Sequence, residues 1–189
     1  PGLSIVVAAR DEAESVAAAL SSLLDQDYPD LEVILVDDRS SDGTSEIADQ
    51  VKREHPRADR LLVIHNRELP AGWLGKVYAL HLGVQASRHP LVLLTDADVN
   101  FSHDALRRAV TAQQVLGADH LAIAPRFEVR GFWEPVLVAY FFVLFTLRFQ
   151  PSTVHRKKSK FVGVGAFNMV TRPMLQRLEW LEPLRLQVV

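Results

Sequence analysis

Residues 91–101 read LVLLTDADVNF, an apolar run that ends in two aspartates one position apart. On an extended chain, side chains i and i+2 point the same way, so Asp96 and Asp98 would bring two carboxylates together. Like charges at that spacing repel unless a cation or a proton lies between them. Carboxylate oxygens suit a hard divalent ion, Mg²⁺ or Mn²⁺, which keeps open positions for substrate phosphates. Lys76, in the first turn of a helix predicted from about Leu74, adds positive charge at a helix N-terminus, itself favourable to anions. Ion, lysine and helix end together could neutralise a diphosphate. Asp38, acceptor-only when ionised, could take an N–H from a base or hydroxyls from a ribose.

The elements that must position these groups are legible from hydrophobic patterning. LSIVVAA (3–9), LEVILV (31–36), LLVIH (61–65), LVLLT (91–95) and HLAIAP (120–125) read as strands, with amphipathic helical spacing between the first four and after the fourth. Val16, Ala19, Leu20, Leu23 and Leu24 mark the first helix. Ile47 and Val51 mark the second, with Asp42 of SSDG as its expected cap. Val77, Leu80 and Val84 mark the third, and Leu106, Ala109, Val110 and Gln113 the one after strand four. Strands that are apolar throughout and alternate with helices predict an α/β fold with a mostly parallel sheet covered on both faces. Ligands in such sheets bind beyond the carboxyl ends of the strands. Three charged clusters fall there: Arg10, Asp11 and Glu12, then Asp37 and Asp38, then Asp96 and Asp98. One acidic residue at such a place is ordinarily a helix cap; three clusters along one edge point to a binding site.

Composition narrows the classes. With 189 residues, 48% of them hydrophobic, the chain can bury one sizeable core. A formal net charge of -2 gives no global bias toward nucleic acid. The absence of cysteine excludes disulfides and thiolate metal sites and fits a cytosolic-facing protein. The seven histidines show no zinc-site spacing. No G-x-G-x-x-G follows the first strand, and GWLGKV (72–77) lacks the length and the Ser/Thr of a P-loop. The chain opens at Pro1 with no charged-then-apolar leader, so no signal peptide is expected, and it reads as a piece of a longer chain.

Residues 132–149, FWEPVLVAYFFVLFTLRF, differ from all that precedes them. Twelve residues between Pro135 and Arg148, apolar but for Thr146 and the Tyr140 hydroxyl, fall short of the roughly 20 needed to span a bilayer. The segment is expected to be either a buried helix or a helix lying in a membrane interface. The basic stretch HRKKSK (155–160) that follows is either a solvated loop or a contact for anionic headgroups.

IVVAARDEAESV, VILVDDRSSDGT, GWLGKVYALHLGV and LLTDADVNF, in this order and spacing, resemble the family-2 glycosyltransferases of the GT-A fold. The resemblance covers about the first 105 residues, a nucleotide-sugar-binding half. The remainder, 106–189, is expected to form the acceptor-side half of the same domain, with GVGAFNMVTRPML (163–175) similar to the family's acceptor-side segment. GWLGK followed by an apolar stretch is similar to membrane-associated members that glycosylate lipids, such as hopanoid and carotenoid glycosyltransferases. The resemblance implies that Asp38 contacts the nucleotide base, with Ala9, Arg10 and Glu12 beside it. It puts Lys76 near the diphosphate, Asp96 with Ala97 at the ribose or sugar, and Asp98, with Asp96 as a second candidate, on the Mg²⁺ or Mn²⁺. Trp73, Gly165, Ala166 and Asn168 are the acceptor-side candidates. The reaction implied is an inverting displacement from a nucleotide-diphosphate sugar, foremost a UDP-sugar, to a lipid or other membrane-associated acceptor. Its place would be the cytoplasmic face of a membrane.

The sequence also departs from the family pattern. After residue 120 the carboxylates are Glu128, Glu134, Glu179 and Glu182, none in the acidic pair that supplies the family's general base. QRLEW (176–180) has Glu179 where polymerising members carry arginine. The general base is therefore expected beyond Val189, or the chain is not a complete catalyst. Two other readings remain: a nucleotide-sugar-binding module without transfer activity, and a haloacid-dehalogenase-type phosphatase. The latter requires D-x-D-x-T on its first strand, whereas here Asp98 is followed by Val99 and Asn100 on the fourth.

Overall fold

A computed structural model describes residues 1–129, 131–149, 165–177 and 179–187. Four strands, β1 (Leu3–Ala9), β2 (Leu31–Asp38), β3 (Leu61–Asn66) and β4 (Leu91–Asp96), pair in parallel in the order β3-β2-β1-β4. Each is followed by a helix as predicted, β3 by way of the loop 67–74. The helices are α1 (Val16–Leu24), α2 (Thr44–Glu54), α3 (Gly75–Ala86) and α4 (Ala105–Leu116).

The parallel register explains why the charged clusters converge. Ala9 pairs with Asp37, Ala8 with Asp96, and Asp38 with Asn66, so the carboxyl ends of four strands finish level with one another. Alternating side chains then divide into two faces. Leu3, Ile5 and Val7 pack with the inner stripes of α1 and α4. Val6 and Val92 pack on the other face with Leu80 and Val84 of α3. The positions predicted to face inward on α4, Leu106, Ala109, Val110 and Gln113, are the buried ones.

Beyond α4 the structure adds to the predicted order. β5 (His120–Ala122) is three residues long rather than six and does not join β4. An unforeseen strand, β6 (Asn168–Thr171), lies between them, antiparallel to both. Four residues are too few to show a periodicity, so pairing with its neighbours is what makes this segment a strand. A short helix, α6 (Arg172–Arg177), and a 3-10 segment, Glu179–Leu184, return along α3, where the Leu74 N–H donates to the Arg185 carbonyl at 2.8 Å.

The apolar segment forms a helix, α5 (Trp133–Phe149). It is not a core helix: Trp133 is 72% exposed, Leu147 70%, and Leu137, Tyr140, Phe141 and Val143 are also open. Among the described residues no helix is long and apolar enough to cross a membrane. The HRKKSK stretch lies outside the described residues. One cap is displaced from expectation. Gly43, with φ 97°, ends the turn before α2, while the Asp42 carboxylate accepts the Thr44 N–H at 3.1 Å and the Ala13 N–H at 3.0 Å.

Candidate active site

At the carboxyl edge of β1, β2 and β4 lies a cleft of about 320 Å³, lined by Ala8, Ala9, Arg10, Glu12, Asp38, Gly75, Lys76, Asp96, Ala97 and Asp98. All the donor-side residues singled out from sequence are in it; Ala8 and Gly75 are the additions. The loop after β1 is tied to the loop after β2. Asp11, at φ 54°, donates its N–H to Ser40 Oγ at 3.0 Å, and its carboxylate accepts the Ser41 N–H at 2.8 Å. The Glu12 N–H donates to Thr44 Oγ1 at 2.8 Å. Arg10 and Glu12 are thereby held along one wall.

The adjacent aspartates of β2 have separate tasks. Asp37 is fully buried and turned toward α2, where it accepts hydrogen bonds from Ser45, from the Ser40 N–H at 3.3 Å and from His65. Burial pushes its carboxyl up, but the hydrogen bonds from Ser40, Ser45 and His65 outweigh that and hold it below its ordinary value. Asp38 faces the cleft although it is only 2% exposed. Its Oδ1 accepts from Arg39 Nε and from Asn66 Nδ2, both at 2.9 Å, and its Oδ2 from Arg39 Nη2 at 3.0 Å. That contact pushes the Arg39 guanidinium up from its already high value. Asn66 and Arg39 were not singled out from sequence. Asn66 was detectable as the polar residue ending an apolar strand level with Asp38.

Asp96 and Asp98 are placed differently from the extended-chain expectation. β4 ends at Asp96, and Ala97 and Asp98 form a turn. Both carboxylates still line the cleft, because the turn follows the strand end directly. The charge of Asp96 is answered by Lys76 Nζ, 2.6 Å from Oδ1, with Lys76 43% and Asp96 30% exposed at the side chain. Lys76 is the second residue of α3, so the first turn of this helix stretches from Asp38, under Gly75, to Asp96. Asp96 and Asp98 offer hard oxygen donors, and no cluster of three ligating side chains exists among the described residues. That donor set fits an ion of the Mg²⁺ or Mn²⁺ kind, held by one or two carboxylates with water and substrate oxygens completing its shell.

None of the acceptor-side candidates lines the cleft, but Gly165 comes close to two residues that do. A Cβ there would come 2.8 Å from Asp96 Oδ2 and 3.6 Å from Lys76 Nζ, so a larger residue would push the Asp96 carboxylate aside. Ala166 contributes its carbonyl, which accepts the Thr95 hydroxyl at 2.7 Å. Asn168 does not line the cleft; its side chain meets His120 Nε2 at 3.2 Å on the neighbouring strand. Trp73 lies against Tyr78 and His81 of α3, with ring centroids 5.4 Å and 4.8 Å away, and it too is absent from the cleft wall.

A four-stranded parallel core with an acidic cleft at its carboxyl edge, closed by an antiparallel strand, defines a GT-A-type α/β protein. The sequence profile of glycosyl transferase family 2 matches residues 4–179, and the chain belongs to that family. It is 33% identical over 151 residues to beta-monoglucosyldiacylglycerol synthase of Synechocystis sp., covering 75% of this chain and 30% of that protein. It is 34% identical over 104 residues to poly-beta-1,6-N-acetyl-D-glucosamine synthase of Staphylococcus epidermidis, covering 55% of this chain and 23% of that one. The chain thus spans less than a third of these curated relatives' length. Among solved structures, the mannosyltransferase PcManGT of Pyrobaculum calidifontis, in complex with GDP-Man and Mn²⁺, superposes with a TM-score of 0.70 at 25% identity, covering 94% of this chain and 46% of that one. S. aureus TarS 1-349 in complex with UDP-GlcNAc gives 0.57 at 26% identity, covering 70% and 37%. Family membership removes the phosphatase reading.

Proposed function

We propose that this chain binds a nucleotide-diphosphate sugar, foremost a UDP-sugar, and serves an inverting, divalent-metal-dependent sugar transfer. The acceptor is a lipid or other membrane-associated molecule at the cytoplasmic face of a membrane. The observation that carries the reading is the convergence of Asp38, Lys76, Asp96 and Asp98 on one cleft at the carboxyl edge of the sheet. Asp38 accepts from the base, Lys76 donates to the diphosphate, and Asp96 meets the ribose or the sugar. Asp98 and Asp96 would hold the divalent ion, which when bound supplies positive charge to the departing diphosphate. In the transfer the acceptor oxygen bonds to the anomeric carbon. The bond from that carbon to the diphosphate oxygen breaks, and its electron pair leaves on the diphosphate. The acceptor proton passes to a general base, a role assigned to no residue of this chain.

Two observations favour a lipid acceptor. The Synechocystis relative is named for a glucosylated diacylglycerol, and α5 exposes apolar and aromatic side chains beside the domain. The test is a screen of UDP-, GDP- and dTDP-sugars with Mn²⁺ for thermal stabilisation, followed by product detection with diacylglycerol vesicles. Stabilisation by one nucleotide sugar, strengthened by Mn²⁺, is expected. Stabilisation without product, in a chain extended past Val189 as well, would favour the binding-module reading. No response to any nucleotide sugar would overturn the proposal.

A further inference from the structure

Arg39 is an unusual neighbour for Asp38. It follows that aspartate directly in sequence, yet its guanidinium folds back to grip both carboxylate oxygens. The backbone must adopt φ 59° at Arg39, a left-handed conformation that is strained for a side chain of this size. The conformation is held from outside: the Arg39 N–H donates to the Asn66 carbonyl at 3.1 Å, while the Asn66 amide donates to Asp38. Strain of this kind persists where its surroundings over-determine it, and it collects at functional sites.

Counting acceptor positions shows what the grip leaves open. An ionised carboxylate offers about two lone-pair sites on each oxygen. Oδ1 of Asp38 already receives two donors, Arg39 Nε and Asn66 Nδ2. Oδ2 receives one, Arg39 Nη2, and keeps one site. Oδ2 also lies beneath the first residue of α3, where a Cβ on Gly75 would come within 2.5 Å of it and 2.8 Å of Arg39 Nη2. The missing side chain at Gly75 leaves room for this oxygen and for Arg39 Nη2, and Asp38 and Gly75 both line the cleft.

Resting on the donor-binding reading above, we infer that Arg39 is the positioning residue for base recognition. Its fork fixes Asp38 so that a single acceptor site, on Oδ2, faces an N–H of the nucleobase. Without the fork Asp38 can rotate and loses the neighbouring positive charge that makes its burial tolerable. A buried carboxylate held in one orientation by a planar bidentate partner is a task for arginine, and lysine, a single point charge, performs it only in part.

The test measures binding of UDP, ribose 5-phosphate and inorganic pyrophosphate, each with Mn²⁺, by calorimetry on the wild-type protein and on Arg39→Gln and Arg39→Lys. In Arg39→Gln, UDP affinity is expected to fall roughly ten- to a hundredfold while the other two probes bind as in wild type. Arg39→Lys is expected to recover part of the loss. Should Arg39→Gln fail to fold, Asn66→Ser removes one Oδ1 donor and should produce a smaller loss confined to UDP. Unchanged UDP affinity, or an equal loss for all three probes, would overturn the inference. A loss shared by UDP and ribose 5-phosphate alone would reassign Asp38 to the ribose and overturn it too. Binding of pyrophosphate but not of UDP by the wild type would instead sink the donor-binding reading itself.

Discussion

Lys76→Ala separates the stability of the free protein from its affinity for a diphosphate. In the free protein Lys76 Nζ lies 2.6 Å from Asp96 Oδ1, but the two side chains are 43% and 30% exposed. Solvent screening limits such a pair to about 0.2–1 kcal/mol, so removing it should lower the melting temperature by no more than about 4 °C for a chain of this size. A diphosphate oxygen bound in the partly closed cleft is a charge-assisted hydrogen bond of about 1.5–3 kcal/mol. Binding exchanges one anionic partner of Lys76 for another, so the observed loss should sit near the lower end, about tenfold in Kd. Nucleoside binding, which does not involve the diphosphate, should be unchanged. Calorimetry with UDP and uridine, alongside thermal melts, measures all three quantities. An equal loss for UDP and uridine would place Lys76 away from the diphosphate. A large fall in melting temperature with unchanged UDP affinity would make the pair a structural clasp.

Asp98→Ala should remove the Mn²⁺ dependence of UDP binding, since Asp96 alone is a poor ligand set; unchanged affinity with Mn²⁺ would refute the assignment. Asp37 holds its proton less readily folded than unfolded, so its stabilisation is complete above the ordinary carboxylate value and is lost as pH falls through the lower, folded one. The gap in melting temperature between wild type and Asp37→Asn should therefore narrow on acidification from about pH 5 to about pH 2, and a constant gap would contradict that account. Residues 132–160 should carry the domain upward in flotation with anionic liposomes, and replacing Lys157, Lys158 and Lys160 with Glu should reduce it. A wild-type domain that stays at the bottom of the gradient would count against membrane attachment.

Local patterning determined much of this protein. A strand or helix buried on a regular face repeats its apolar residues at a fixed period, and a strand buried on both faces shows as a continuous apolar run. The four strands, the four helices and the alignment of Asp38, Lys76, Asp96 and Asp98 along one edge were therefore legible from residue order. Other features depend on contacts between segments far apart in the chain. Asn168–Thr171 carries too little pattern to declare itself and becomes a strand only through hydrogen bonds to β4 and β5. Which of Asp37 and Asp38 serves the fold depended on where α2 puts Ser45 and where β3 puts His65 and Asn66. The charge on Asp96 is answered by a lysine on another helix, with Gly165 from a later segment closing against both. Likewise, an apolar stretch has the same composition in a core helix as in an exposed one, so only packing could show that α5 lies open. Periodicity records which face of an element is buried; partners across the sheet are chosen by three-dimensional proximity, which a linear pattern does not encode.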